Sequence, residues 1–268
     1  MYLADYHTHS RLSPDGSVHL REMAKAAVNA GMDELCVTDH YDLITATGAP
    51  STDYDWAPAL QQFAETKAEF EGKLVLKLGI EFGSGHLNAD RAKAFLSLPE
   101  LDFVIGSLHN RSPKAGGEDL YWGNYTSEGI CYEALDDYFS NMERFVTCPH
   151  CYDVLGHIIY PRRYMVRDGQ LNISFARYLD RIEAILTRLV ADGKGIEVNT
   201  YRGQSVEEWR EILALYRKCG GERITIGSDA HAPDVVAAGV RESQELLKSV
   251  GFRYFCTYEK HEPTFLTL

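Results

Sequence analysis

No apolar run in this sequence approaches the roughly 20 residues that a membrane-spanning helix needs, so no such helix is expected. The opening residues, MYLADYHTHS, have neither the basic stretch nor the apolar core of a secretory signal, and a cytoplasmic protein is expected. Positive charge is scarce: 27 Lys and Arg against 39 Asp and Glu give a formal net charge of −12. A polyanion would be repelled at long range, so a nucleic-acid polymer is not an expected partner. A small anion is still admissible, because bound divalent cations and one or two arginines can make a site locally positive. Cysteine is too sparse for a disulfide framework, and only Cys148 and Cys151 form a C-x-x-C pair. With no second pair to complete the four ligands of a structural zinc, free thiols are expected. Neither a G-x-S-x-G elbow nor a Walker A loop occurs, so neither a serine nucleophile nor a nucleotide cradle is indicated. No repeat, low-complexity tract or linker divides the chain, and residues 1–268 read as one domain.

What is present is an alternation. The length of 268 residues suits one α/β barrel, since such barrels often run to about 250 residues. Short β-rich runs lie at 2–6, 34–38, 74–80, 103–107, 154–159, 195–199 and 223–227, with a further strand possible at 252–258. Between several of them apolar residues recur with helical period: Leu20, Met23, Ala24, Ala27 and Val28 ahead of Gly31, and Leu60, Phe63, Ala64 and Phe70 ahead of Gly72. Tyr178 to Leu189 repeats the pattern after an N-cap at Ser174. Ser205 with Glu208 fits a capping box, and Asp234 is the expected cap of the last long helix. Seven strands alternating with helices imply parallel pairing and right-handed crossovers, and a barrel is the natural closure. Two polar, turn-rich stretches, 41–56 and 110–125, break the rhythm and read as lids, substrate walls or solvated insertions.

The chemistry is concentrated by position. His7 and His9 follow the first strand, with Asp15 in the loop beyond, and His40 follows the second. Glu81 follows the third, His109 the fourth, His157 lies within the fifth, and Asp229 and His231 follow the seventh. In a parallel barrel those strand ends converge on one face, where active sites of this architecture lie. Gathering so many ionisable groups is costly unless cations compensate them, and imidazole with carboxylate suits zinc, iron or manganese. Alternate strand residues point the same way, so His7 and His9 can present two nitrogens to one metal. Single members have plainer readings. His40 and His231 can be core histidines, Asp15 lies in SPDG, which is also turn chemistry, and Asp39 orients a neighbour or merely ends a strand. His19, His150 and His261 read as surface or locally bonded residues, whereas His86 is a possible substrate contact.

DYHTHS, SPDG, VTDH, GIEF, GSLH, LGH, EVNT and GSDAH occur in that order from Tyr6 to His231. Together they resemble the PHP (polymerase and histidinol phosphatase) family. The resemblance implies a distorted (β/α)7 TIM-like barrel and three divalent metals, zinc, iron or manganese. His7, His9, Glu81 and Asp229 would hold the first, Glu81 would bridge to a second completed by His109 and His157, and Asp15, His40 and His231 would hold the third. Some relatives have histidine where this chain has Asp15. The aromatic stretch after GSLH and the arginines after LGH look most like the histidinol-phosphate phosphatase branch. In that branch Arg162 and Arg202, with Arg163 as the substitute for Arg162, would grip phosphate.

The implied reaction is metal-dependent hydrolysis of a small phosphate monoester, L-histidinol phosphate first, with Glu81, Asp229 and His231 as catalytic residues. Rival readings are a phosphodiesterase or phosphotyrosine phosphatase of the same family and an amidohydrolase-type enzyme, which would want a bridging lysine where this chain offers Glu81. A metal-binding protein without catalysis is a further rival.

Overall fold

The computed structural model describes residues 1–268, apart from the side chains of Arg167 and Asp168. Seven β/α units follow one another: β1 (Ala4–Thr8), α1 (Leu20–Asn29), β2 (Glu34–Val37) with its short continuation β3 (His40–Asp42), α2 (Trp56–Glu69), β4 (Val75–Gly83), α3 (Ala89–Phe95), β5 (Phe103–Ser107), α4 (Glu128–Phe145), β6 (Val154–Leu155), α5 (Leu179–Ala191), β7 (Gly195–Asn199), α6 (Arg210–Lys218), β8 (Ile224–Gly227) and α7 (Val240–Val250). The strands pair in parallel in the order β1-β2-β4-β5-β6-β7-β8, with β3 beside β4. The circle closes where Thr8 bridges to Ala230, through His9 N–H to Ala230 O (2.8 Å) and Asp229 N–H to His7 O (2.9 Å). A nearly closed parallel barrel of seven strands results, the expected architecture.

Closure thus occurs at the C-terminal ends of the strands. The opposite end is covered by an element that is only half legible in the sequence. Residues expected as one late strand form half of an antiparallel hairpin, β9 (Tyr254–Glu259) and β10 (Glu262–Thr267), which stays outside the barrel sheet. Its turn is tied down by His261 Nδ1 to Asp153 (2.9 Å) and by Lys260 Nζ to Asp102 (2.9 Å), both carboxylates standing just ahead of a barrel strand. Tyr258 packs on Phe103 with ring centroids 4.9 Å apart, and its N–H donates to Tyr6 Oη at 2.8 Å. Tyr6 Oη in turn bonds to the buried Glu34 carboxylate. A bridge of aromatic rings and one phenol therefore seals the base.

Other departures have local causes. β6 stops at Leu155 rather than 159, so His157 sits beyond the strand and not within it. β4 runs on to Gly83, which places Glu81 inside the strand rather than after it. Helices α3 and α4 were not singled out in the sequence, although α4 buries Cys131, Ala134, Leu135, Tyr138, Phe139, Met142 and Phe145 on one 3.6-period stripe. Ser205 makes no capping box, its hydroxyl donating to Asn199 O at 3.1 Å, and α7 starts at Val240 after Gly239, with Asp234 in an earlier single turn. The stretches 41–56 and 110–125 form one wall. Asp119 N–H donates to Ala46 O (2.9 Å), and a Cβ on Gly48 would fall 2.8 Å from the backbone of Gly117.

The base and the mouth are separate structures, which makes them separable in experiment. Tyr6→Phe takes the buried partner from the Tyr258 N–H and one of two phenol donors from the Glu34 carboxylate, which keeps Tyr2. The expected loss is about 1–3 kcal/mol of unfolding free energy in urea titration, with metal content unchanged.

Candidate metal centre

Every expected ligand arrives on a rigid element or within a few residues of one. β1 carries His7, with His9 just past its end, and β3 opens with His40, in register with Glu81 of β4. His109 and His157 each stand two residues beyond β5 and β6, and Asp229 stands two beyond β8. Asp229 adopts a left-handed backbone (φ 59°), a conformation that Asp tolerates better than most side chains. Its kink carries His231 back over the mouth, where His231 Nδ1 donates to the carbonyl oxygen of Asp229 at 2.9 Å. That bond leaves Nε2 as the atom free to meet a metal or a proton.

Glu81, with no exposed surface, lies at the centre. Its Oε2 is 2.9 Å from His7 Nε2, 3.0 Å from His40 Nδ1 and 3.6 Å from His9 Nε2. Its Oε1 is 2.9 Å from His109 Nε2 and 2.8 Å from His157 Nε2, and accepts from the Ser107 hydroxyl at 2.7 Å. One carboxylate thus divides the histidines into two sets. Asp229 Oδ1 joins the first set, 3.6 Å from both His7 Nε2 and His9 Nε2. Asp15 Oδ2 reaches His231 Nε2 at 3.0 Å and His40 Nε2 at 3.8 Å from the more open side. All nine residues meet in one space.

The donor atoms fit metal ions better than they fit one another. His9 Nε2, His40 Nδ1 and His231 Nε2 are buried and make no hydrogen bond among the described residues, although carboxylate oxygens lie within 3.0 to 3.6 Å of them. Buried polar atoms rarely go unpaired, and here several do so side by side. The ligand atoms of His7, His9 and Asp229 fall within 4.8 Å of one another, as do those of His7, Glu81 and His157, of His9, His40 and His231, and of His40, Asp42 and His109. The cluster is a multi-metal site.

Without metals, charge within the cluster is balanced by protons. Burial alone would lower the His7, His40 and His109 pKa values, but neighbouring carboxylates override it. Glu197 and Glu81 raise His7 well above its ordinary value, Asp42 and Glu81 do the same for His109, and Glu81 lifts His40 to about 9. Burial would raise Glu81 and Asp229, yet the surrounding imidazoles, and Arg163 in the case of Asp229, hold both carboxyls well below the usual range. His9 and His157 move down, each chiefly through burial.

A second layer, mostly missed in the sequence, holds the first in place. Glu197 on β7 sets its Oε1 2.5 Å from His7 Nδ1, leaving Nε2 to face Glu81 and Asp229. A buried glutamate and asparagine two apart in EVNT were the available signal. Asn199 donates to Asp229 Oδ2 at 3.2 Å, and Asp42 Oδ1 sits 3.0 Å from His109 Nδ1. Ser13 Oγ lies 3.0 Å from His9 Nδ1, and Asp39 secures that loop through Ser10 N–H (2.6 Å) and Ser13 Oγ (3.2 Å). Asp39 therefore reaches His9 through Ser13, and its backbone oxygen accepts from Glu81 N–H at 3.1 Å. Tyr160, also unanticipated, packs its ring 4.8 Å from His157 and donates to lid residue Asp119 at 3.3 Å.

The arginines divide. Arg163, almost fully buried, pairs with Asp229 Oδ2 at 2.8 Å, donates to Asn199 Oδ1 at 2.6 Å and stacks 4.2 Å from the Tyr201 ring. Arg162 turns instead to Glu208 at 3.1 Å, and Arg202 is exposed beside Tyr201. His86 bonds Asn141 on α4 at 3.0 Å, His19 caps α1, and His150 lies against Cys148.

A family model described as the PHP domain matches residues 5–201, most of the chain. The chain belongs to the PHP domain family. Within it, the histidinol-phosphatase of Lactococcus lactis is 28% identical over 260 residues, covering 95% of this chain and 93% of that protein. A protein of Clostridium acetobutylicum named probable histidinol-phosphatase is 27% identical, with 93% and 94% covered. The fold matches the crystal structure of the Lactococcus lactis histidinol phosphate phosphatase in complex with zinc, L-histidinol and phosphate. The TM-score is 0.78 at 23% identity, over 98% of both chains. Among the described residues no helix is long and apolar enough to cross a membrane.

Two outcomes follow from this PHP centre. Raised imidazole pKa values mean that protons occupy ligand nitrogens at neutral pH and leave as pH rises, in the case of His40 through about 9. Metal uptake near neutral pH should therefore release protons, and apparent affinity should climb with pH over that range. Calorimetry in buffers of different ionisation enthalpy measures this, and proton uptake would contradict it. Glu197→Gln should weaken metal binding by about 10–100-fold in chelator competition, with the fold retained.

Proposed function

We propose that this chain is a phosphoric monoester hydrolase that converts L-histidinol phosphate to L-histidinol and phosphate, a reaction of histidine biosynthesis. The observation that carries the reading is Glu81, one buried carboxylate with a histidine set on each oxygen. Near-full-length similarity to histidinol-phosphatases supports the substrate. Zinc is the metal proposed, with residues 1–268 acting as one hydrolase domain.

His7, His9, Glu81 and Asp229 are assigned to a first metal, Glu81, His109 and His157 to a second, and Asp15, His40 and His231 to a third. Bound there, the metals supply a water acidic enough to ionise at neutral pH and positive charge for the phosphoryl oxygens. Arg163 is assigned to the phosphate, because a planar guanidinium can make two parallel bonds to its oxygens. Its buried stack on Tyr201 holds that fork at the cluster, whereas Arg162 and Arg202 need to swing inward to assist. Asp229, held ionised, orients Arg163 with one oxygen and faces His7 and His9 with the other. The proton for the leaving alcohol oxygen is assigned to a water that hydrogen-bonds to the ionised Asp229 carboxylate, and to His231 Nε2 when that atom is not committed to the third metal. Tyr160 and the wall of 41–56 and 110–125 limit water around a small substrate. A small metabolite rather than a nucleic-acid polymer suits the net charge of −12, and the cytoplasm is the compartment proposed.

The decisive experiment is phosphate release from a panel of phosphorylated metabolites, histidinol phosphate included, with metals quantified on the same sample. Glu81→Ala should abolish turnover and reduce bound metal. Full metal content with undiminished turnover in that variant would remove Glu81 from the bridging role. Preference for another phosphate ester by the parent protein would remove the substrate assignment.

A further inference from the structure

Away from the mouth, the turn between α4 and β6 holds a second group of reactive side chains, Cys148, His150 and Cys151. Pro149 starts the turn, and Cys151 N–H donates to Cys148 O at 3.0 Å, which brings residues three apart onto one side. Both cysteines are buried, Cys151 completely and Cys148 with 7% of its surface exposed. Their sulfurs are only 2.8 Å apart. The exposed His150 lies over the more accessible one, with Nε2 3.4 Å from Cys148 Sγ. On the far side Cys151 is backed by Gly85, where a Cβ would fall 3.1 Å from the Cys151 Cβ.

Such a trio can hold a soft metal or can close a disulfide, and the distance separates the two. Thiolates bound at about 2.3 Å to one tetrahedral zinc stand roughly 3.8 Å apart, a wider gap than the one seen. A disulfide needs about 2.0 Å, so a small further approach of the two sulfurs completes the bond. We propose that Cys148 and Cys151 are a redox-active dithiol that a small hydroperoxide closes into a reversible intrachain disulfide. His150 Nε2 takes the proton of the Cys148 thiol, and the Cys148 thiolate attacks a peroxide oxygen. The O–O bond breaks, the departing hydroxide takes the proton back from His150 and leaves as water, and Cys148 becomes a sulfenic acid. Cys151 then attacks that sulfur, the S–O bond breaks, and the hydroxyl leaves as water with the Cys151 proton. In balance, two thiols lose two electrons, and one hydrogen peroxide becomes two waters. Burial, with Cys148 beside it, keeps the Cys151 thiol protonated, so Cys148 rather than Cys151 is the one that meets the peroxide. The remaining cysteines stand outside this pair: Cys36, Cys131 and Cys256 are buried elsewhere, and Cys219 is half-buried near Glu183.

The test treats zinc-loaded protein with a small excess of hydrogen peroxide and maps its peptides by mass spectrometry. Expected are loss of two of the six thiols, a peptide containing Cys148 and Cys151 lighter by about 2 Da, and full reversal by dithiothreitol. C151S should stop at a sulfenic acid on Cys148 that dimedone traps, and H150A should close the disulfide several-fold more slowly. Survival of both thiols while Cys219 oxidises would overturn the proposal. So would a zinc stoichiometry that falls by one per chain in the C148S/C151S double variant, since that result makes the trio a metal site.

Discussion

A glutamate carboxylate with no solvent contact, in the middle of five imidazoles, is the constraint around which this molecule is arranged. An isolated ionised carboxylate cannot be buried without several kcal/mol of desolvation cost, and positive charge must stand on both sides of it. Here the two oxygens of Glu81 face different histidine sets, so protons or metals held by those sets offset the burial. The barrel supplies what the carboxylate requires. Parallel strands end together at one mouth, and each of the units involved contributes one to three of the clustered residues.

Rigidity comes from the groups behind the ligands. Glu197 sets the ring of His7, Asp42 that of His109 and Ser13 that of His9. Asn199 and Arg163 share the outer oxygen of Asp229. A ligand imidazole whose second nitrogen is bonded has a defined tautomer and orientation, and its lone pair points where the metal will be. Gly227 has a part in this as well, because a Cβ there would fall 2.3 Å from the Cβ of His7. The base of the barrel works differently. It is sealed by aromatic packing and by the Glu34–Tyr6–Tyr258 hydrogen bonds, in which Tyr6 is the middle partner.

Particular residues show where reading from sequence succeeds. Alternating β-rich and helical segments specify parallel strands, and polar residues recurring at the ends of those strands specify the mouth. Both signals are local in the chain and periodic, so His7, His9, His40, Glu81, His109, His157, Asp229 and His231 could be picked out before any coordinate was known. Glu197 could not be singled out in the same way. It lies inside an apolar strand, and its role depends on the ring of a histidine 190 residues away. The hairpin was likewise half legible, because β10 alternates weakly and gains its place only by pairing with β9 over the barrel base.

Sequence alone therefore determined the fold class and the family and picked out the candidate ligands, because each is written in residue types that recur in short motifs at the strand ends. Tertiary structure alone decided which of two adjacent arginines meets the cluster. Arg162 and Arg163 are neighbours of identical chemistry, and only the turn after β6 sends one to Glu208 and the other to Asp229. It alone also decided that both oxygens of Glu81 are engaged and that Cys148 and Cys151 meet at their sulfurs. Direction and distance between side chains are set by how the backbone packs, and residue spacing does not carry them.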